Sequence, residues 1–230
     1  MATRVIVSYD DTDNDRDALA LGRVFAGLGA NVALAYVRHT HESDGTRERL
    51  EEHEANALLQ RGVVALGGDV ETHVVLSAST GEGLRALAER ESADIVVFGS
   101  DYHTAPGHVQ PGTSAERLLG GGPVAVALAP CNFRAHADAG FENVGVIPEA
   151  WDIASYETAR SLASGLGATV AETLDAPVDF LVVASRPEAP DGRVMVSAAA
   201  SYAIETARCP VLVVPRGVTI KFESPVLVTA

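Results

Sequence analysis

The stretch "ADIVVFGSDYHTAPGHVQPGTSAERLLGGGPVAVALAP", residues 93–130, decides how the chain folds. "DIVVFG" is a short apolar run rich in β-branched residues, which reads as a strand buried on both faces. "TSAERLLG" reads as a helix and "VAVALAP" as another buried strand. Strand, helix and strand at this spacing make a parallel βαβ unit. The connection across residues 98–119 carries three glycines, two prolines and two histidines, and no lysine or arginine before Arg117. A glycine-rich strand-to-helix loop without a cation needs an explanation.

Upstream, the same alternation continues. "RVIVSY" is a first strand, and "DTDNDRDALALGRVFAGLG" a helix with Ala18, Leu21, Val24 and Leu28 at helical spacing and acids in its first turn. "NVALAYV" and "VETHVVL" are strands. Between them "GTRERLEEHEANALLQRGVVAL" is a helix with Leu50, Ala57, Leu58 and Val64 on one stripe, and "GEGLRALAERES" is the helix that follows. The expectation is an α/β fold with a doubly wound, five-stranded parallel sheet covered by helices on both faces.

Downstream, the pattern recurs in shortened form. "GLGANVA" (27–33) matches "GLGATVA" (165–171), "ADIVVFGS" (93–100) resembles "VDFLVVAS" (178–185), and "GPVAVALAP" (122–130) resembles "CPVLVVP" (209–215). The three pairs keep their order, so the chain reads as a duplicated unit. The second copy would hold "NVGVI", a helix near 153–166, "VDFLVV", "SAAASYAIETA" and "PVLVVP". Ala33 and Ala93 are separated by 59 residues, but Ala171 and Val178 by only six. A parallel crossover takes about a dozen residues or more. "TVAETL" is therefore either not a parallel strand or differently placed from its counterpart.

Composition narrows the function. The 230 residues carry 31 acids against 17 bases, a net charge of −14, and one lysine, Lys221. Such a surface repels nucleic acid and anionic lipid, and it suits a protein kept soluble in high salt. No apolar run reaches the roughly 18 residues of a membrane span, and the N-terminus enters a strand without a signal-peptide pattern, so a cytoplasmic protein is expected. Cys131 and Cys209 are too few for a disulfide framework or a cysteine zinc site.

With strand order 3-2-1-4-5, ligands would bind where the winding reverses, beyond the carboxyl ends of strands one and four. Strand one ends at Tyr9-Asp10-Asp11-Thr12 and strand four at Gly99, whose loop delivers Gly112, Thr113 and Ser114 to a helix N-terminus. Backbone amides there can receive an anion, which is why such a loop can lack a cation.

These residues resemble the universal stress protein family. Its Gly-x2-Gly-x9-Gly-Ser/Thr motif for ATP corresponds to Gly99-x2-Tyr102-x9-Gly112-Thr113, and "SYDDT" (8–12) stands where the family has its Val-Asp-Gly-Ser turn. The resemblance covers most of 1–131 and, more weakly, 140–216. It implies a complete first domain, 1–131, a shortened second one, 140–216, and a tail, 217–230, with the adenine nucleotide α-hydrolase-like topology. It further implies an adenine-nucleotide site of Asp10, Thr12, Val37, Gly99, Ser100, Gly112, Thr113 and Ser114, with Val37 against adenine. The ligand would be ATP, with or without Mg2+. Tyr102 replaces the second motif glycine, and a tyrosine there is costly if the site needs positive φ. The second copy has lost every motif glycine and is expected not to bind nucleotide. Fifth strands often pair antiparallel in the family. Here they would do so within or between chains, and internal pairing would bring Cys131 near Cys209. The tail "VTIKFESPVLVTA" would add a strand to a neighbour or to a partner chain.

Other readings are weaker. "GEGLRA" (81–86) fits a dinucleotide fingerprint, but a helix capped by Ser79 or Thr80 explains it. A Walker loop is excluded, since no glycine loop precedes Lys221. Asp10, Asp11, Asp13, Asp15 and Asp17 read chiefly as helix N-terminal acids, with Asp10 the one placed to meet a magnesium ion. His39 and His41 lack a third metal ligand, His103 and His108 read as solvated, and Ser114 has no base partner. No catalytic residue and no metal ligand are expected, and any ATP hydrolysis would be weak. The expectation is a regulatory ATP-binding stress protein, with a nucleotide-free interaction module as the alternative.

Overall fold

The computed structural model describes residues 2–39, 45–68, 70–150, 152–171 and 177–222. The first half runs β1 (Arg4–Ser8), α1 (Asp13–Gly27), β2 (Asn31–His39), α2 (Gly45–Leu66), β3 (Glu71–Ser77), α3 (Thr80–Glu91), β4 (Ile95–Gly99), α4 (Thr113–Leu119) and β5 (Ala125–Ala129). The second runs β6 (Asn143–Ile147), α5 (Ile153–Leu166), β7 (Thr169–Val170), β8 (Phe180–Val183), α6 (Ala198–Thr206) and β9 (Val211–Val213). The apolar runs that read as buried strands are buried: every residue of β5, β8 and β9 lies inside.

Among the described residues nine strands share one sheet in the order β3-β2-β1-β4-β5-β9-β8-β6-β7. The first five have the expected 3-2-1-4-5 order and pair in parallel. The antiparallel step is β5 against β9, with Val126 opposite Val213 and Leu128 opposite Val211. This pairing covers two apolar edges that would otherwise be open to other chains. Cys131 and Cys209 line one cavity of about 370 Å³ at this seam, and both are free thiols.

The short link after β7 has a simple geometry. Val170 and Phe180 both pair with Val144 of the intervening β6, so β7 ends at the level where β8 begins. Nothing has to return along a strand. The end of β7 and the start of β8 lie two strand spacings apart, about 9.5 Å. The expectation that this segment is either not a parallel strand or differently placed is corrected: "TV" is a parallel strand placed as β2 is in the first half, but cut to two residues. The path through 172–176 lies outside the described residues.

Two expectations are corrected here. The buried face of α2 carries Ala55 and Leu59, with the expected Leu58 partly buried beside them, whereas Ala57 is exposed and Val64 is 82% exposed. Leu50's side chain lies outside the described residues. The tail does not add a strand over 218–222. Ile220 N–H donates to Thr158 Oγ1 at 3.0 Å and Phe222 N–H to Ser161 Oγ at 2.7 Å, while the Phe222 ring stacks on Phe25 of α1 at 5.6 Å. Residues 223–230 lie outside the described residues. Phe25, Phe180 and Phe222 belong to one buried cluster, so the two halves share their core.

Matched hydrogen bonds link the halves. Ser100 Oγ donates to Ala129 O at 2.7 Å and accepts Gln110 N–H at 3.3 Å. Ser185 Oγ donates to Val214 O at 2.7 Å and accepts Met195 N–H at 3.2 Å. The sequence separations, 29 and 10 residues, are the same in both.

Candidate functional site

Beyond the carboxyl ends of β1 and β4 lies a crevice of about 930 Å³. Its lining includes Asp10, Thr12, Gly99, Ser100, Gly112, Thr113 and Ser114, so seven of the eight expected residues meet there. Asp10 and Thr113 open onto the same space. This is the position where a reversal of winding leaves room between two strand ends.

Val37 is the exception. It is 5% exposed and lies in the core with Leu84 and Leu87 of α3, and a Cβ at Gly83 would come within 2.9 Å of its Cγ1. Gly83 is therefore a packing glycine, and Ser79 Oγ caps α3 by accepting Glu82 N–H at 3.3 Å. The dinucleotide-like spelling of that segment serves helix–sheet packing.

Ser100 reaches the crevice but is 3% exposed. Its hydroxyl is taken up by Ala129, Gln110 and His108 backbone groups. This hydroxyl holds the loop to β5. Gly99 likewise answers to packing: a Cβ there would lie 2.3 Å from Asn14 O at the start of α1, and Asn14 Nδ2 donates to Ser100 O at 2.8 Å. Gly112 differs. Its φ of −80° suits any residue, and a Cβ would meet nothing nearer than Asp101 Oδ2 at 3.8 Å. As N-cap of α4 it supplies no side-chain acceptor to the first-turn amides.

Tyr102 adopts no positive φ; among the described non-glycine residues only Asp11, Ser92 and Asn132 do. The cost anticipated for tyrosine at this position does not arise. Its side chain lies at the crevice mouth, 76% exposed, with its ring 3.8 Å from that of His103. The ring leaves the crevice unfilled.

The aspartates of the first helix have separate duties. Asp11, at φ 65°, accepts Tyr9 Oη–H and Arg61 Nε–H, both at 2.7 Å. The tyrosine bond, then the guanidinium, lowers the Asp11 pKa, while burial and that same bond raise Tyr9's. Asp15 Oδ2 accepts the N–H groups of Asp10 and Thr12 and the Thr12 hydroxyl at 2.9, 3.0 and 2.9 Å. Burial, followed by the neighbouring Asp10 carboxyl, pushes Asp15 up to about 8. Asp17, 1% exposed, accepts Asn132 N–H at 2.8 Å and Arg134 N–H at 2.9 Å. It ties α1 to the turn after β5, where Asn132 takes a left-handed φ of 65°.

The crevice is acidic. Asp10, Asp13, Asp15, Asp17 and Asp101 line it, against Arg134 as the one Lys or Arg among the described lining residues. Arg134 is engaged: its Nη1 donates to Asp13 O at 2.7 Å and lies 3.4 Å from Asp17 Oδ2. A bare polyphosphate would meet net repulsion here, and a cation brought with it would reverse the sign. Among the described lining residues there is no histidine or lysine. His39 Nδ1 sits 3.4 Å from Ala78 O; His41 lies outside the described residues. His103 is solvated, its side chain 75% exposed beside Asp101.

Sequence reasoning did not identify Asp101, Asn14 and Arg134 as members of this crevice. Asp101 carried a signal, lying two residues beyond Gly99, whereas Arg134 did not, since its placement depends on the turn after β5. Among the described residues no helix is long and apolar enough to cross a membrane.

The sequence profile of the universal stress protein family matches residues 1–130. Among solved structures, the chain is similar to a universal stress protein of Archaeoglobus fulgidus, with 14% identity, 93% of this chain and 98% of that one covered, and a TM-score of 0.58. A putative universal stress protein of Pseudomonas aeruginosa UCBPP-PA14 is 13% identical over 93% of each chain, with a TM-score of 0.60. A functionally unknown protein of P. aeruginosa PAO1 is 12% identical over 94% of this chain and 93% of that one, also at 0.60. At these identities the likeness is one of fold. None of the curated proteins matches the sequence.

Proposed function

The chain belongs to the universal stress protein family, and from that premise we propose that it is a regulatory binder of an adenine nucleotide, taken as its divalent-cation complex. The observation that carries this reading is the single crevice shared by Asp10, Thr12, Gly112, Thr113 and Ser114 at the carboxyl ends of β1 and β4. The open space above Gly112 supports close approach of a phosphate to backbone amides. The lining aspartates other than Asp15 favour a nucleotide that arrives with its cation, ATP with Mg2+, and Asp10 is the exposed carboxylate placed to meet that ion. Residues 1–131 act as the complete unit and 140–216 as its shortened copy, a reading supported by the matched bridges of Ser100 and Ser185.

The acidic lining favours a second reading, in which the crevice has lost nucleotide and the protein works through contacts with a partner. One experiment separates them. Nucleotide released from the denatured, purified protein is identified by mass, and ATP with Mg2+ is titrated into wild type and Gly112→Val. Binding that needs Mg2+ and weakens in Gly112→Val supports the first reading. No released nucleotide and no titratable binding supports the second.

A further inference from the structure

At the opposite end of the sheet from the crevice, near the amino ends of β1, β2 and β3, a cavity of about 940 Å³ is lined by Glu71, His73 and Glu91 among others. Glu71 and His73 are two apart on the edge strand β3, so they project from the same face. Glu91 is the last residue of α3, which packs over that face. One ligand atom from each of the three lies within 4.8 Å of the others. They are the sole such His, Cys, Asp and Glu group among the described residues.

The histidine makes this more than a patch of acids. Its side chain is 11% exposed, and Nε2 is buried without a hydrogen-bond partner. A buried imidazole nitrogen left unpaired is costly. Glu71 Oε1 stands 3.6 Å away, too long for a hydrogen bond. That separation matches ligands sharing one small cation, since donors about 2.1 Å from a tetrahedral ion lie about 3.4 Å apart.

We propose that Glu71, His73 and Glu91 form a site for one divalent transition-metal ion of the zinc type. One imidazole nitrogen and two carboxylates suit such an ion, and water would complete its coordination. A harder cation such as Mg2+ prefers an all-oxygen octahedron. Glu91 is held from outside, with Arg90 Nε 2.9 Å from Oε1 and Arg4 Nη2 3.5 Å from Oε2. Ligating carboxylates are commonly oriented by hydrogen bonds of this kind, and each oxygen keeps a further lone pair. An ion here would staple the edge strand β3 to the end of α3.

The test uses the full chain stripped with a chelator. Zn2+ is titrated calorimetrically, Co2+ is added as a spectroscopic probe, and melting is followed with and without Zn2+. The expected result is one ion per chain, tetrahedral Co2+ absorption bands, and a melting temperature raised by Zn2+ but unaffected by equal Mg2+. His73→Gln should weaken Zn2+ by roughly 100-fold or more. Glu71→Gln, at a side chain 61% exposed, should fold normally and weaken Zn2+ roughly 10-fold. Absence of stoichiometric Zn2+ binding would overturn the site. Binding unchanged in Glu71→Gln, or matched by Mg2+, would overturn it equally.

Discussion

The hydroxyls of Ser100 and Ser185 form the same bond on either side of the β5–β9 seam. Each donates at 2.7 Å to a carbonyl 29 residues onward, and each is almost fully buried, at 3% and 1% exposure. Ser100→Ala and Ser185→Ala would each leave buried backbone groups unpaired, costing about 1–3 kcal/mol. Urea unfolding measures both. Equal losses mark the shared bridge, and a neutral Ser100→Ala would show that the hydroxyl holds nothing.

Two glycines of the same loop should separate folding from binding. Gly99→Ala drives a methyl to 2.3 Å from Asn14 O, so it should destabilise by about 2 kcal/mol or more through overpacking. Gly112→Ala has room, with nothing closer than 3.8 Å, and should fold as wild type does. Its methyl lies where a phosphate would approach, so any Mg2+-dependent ATP affinity should drop. Thermal melts and a binding titration on both variants check the pair.

Asp15 predicts a pH dependence with a definite sign. Its folded pKa of about 8 lies above the model-peptide value of 3.8. Its contribution is therefore intact below about pH 4, and it falls away as pH rises through the window up to about 8. Asp15→Asn, which keeps an acceptor for the Asp10 and Thr12 amides, should flatten that part of the stability profile. Unfolding free energies at several pH values across the window measure the slope. Identical slopes in the two proteins would rule out the raised pKa.

Asp17 should be among the least replaceable residues on the helix. Its buried carboxylate receives two N–H groups and faces Arg134. Asp17→Ala leaves those partners unpaired and should cost about 3–5 kcal/mol, whereas Asp13→Ala, at a side chain 78% exposed, should stay within about 0.5 kcal/mol. Chemical denaturation of the two variants makes the comparison.

Much of this molecule was legible in local pattern. Runs of β-branched residues, helical spacing in Ala18 and Leu21, and three repeated peptides set out the strands, the helices and the likeness of the halves, because periodicity and backbone propensity are written in neighbouring residues. The crevice members Asp10, Thr12, Gly112 and Thr113 followed, since a strand end and a helix start are both local features. What required the tertiary structure was the destination of each polar atom and the level of each strand. Val37 proved to pack beneath α3, Ser100 to spend its hydroxyl on β5, and β7 to stop opposite Val144 so that nine residues can cross. Glu71, His73 and Glu91 likewise meet only once α3 lies over the edge strand. Burial and hydrogen-bond partnership are set by residues far apart in the chain, and no pattern of neighbours encodes them.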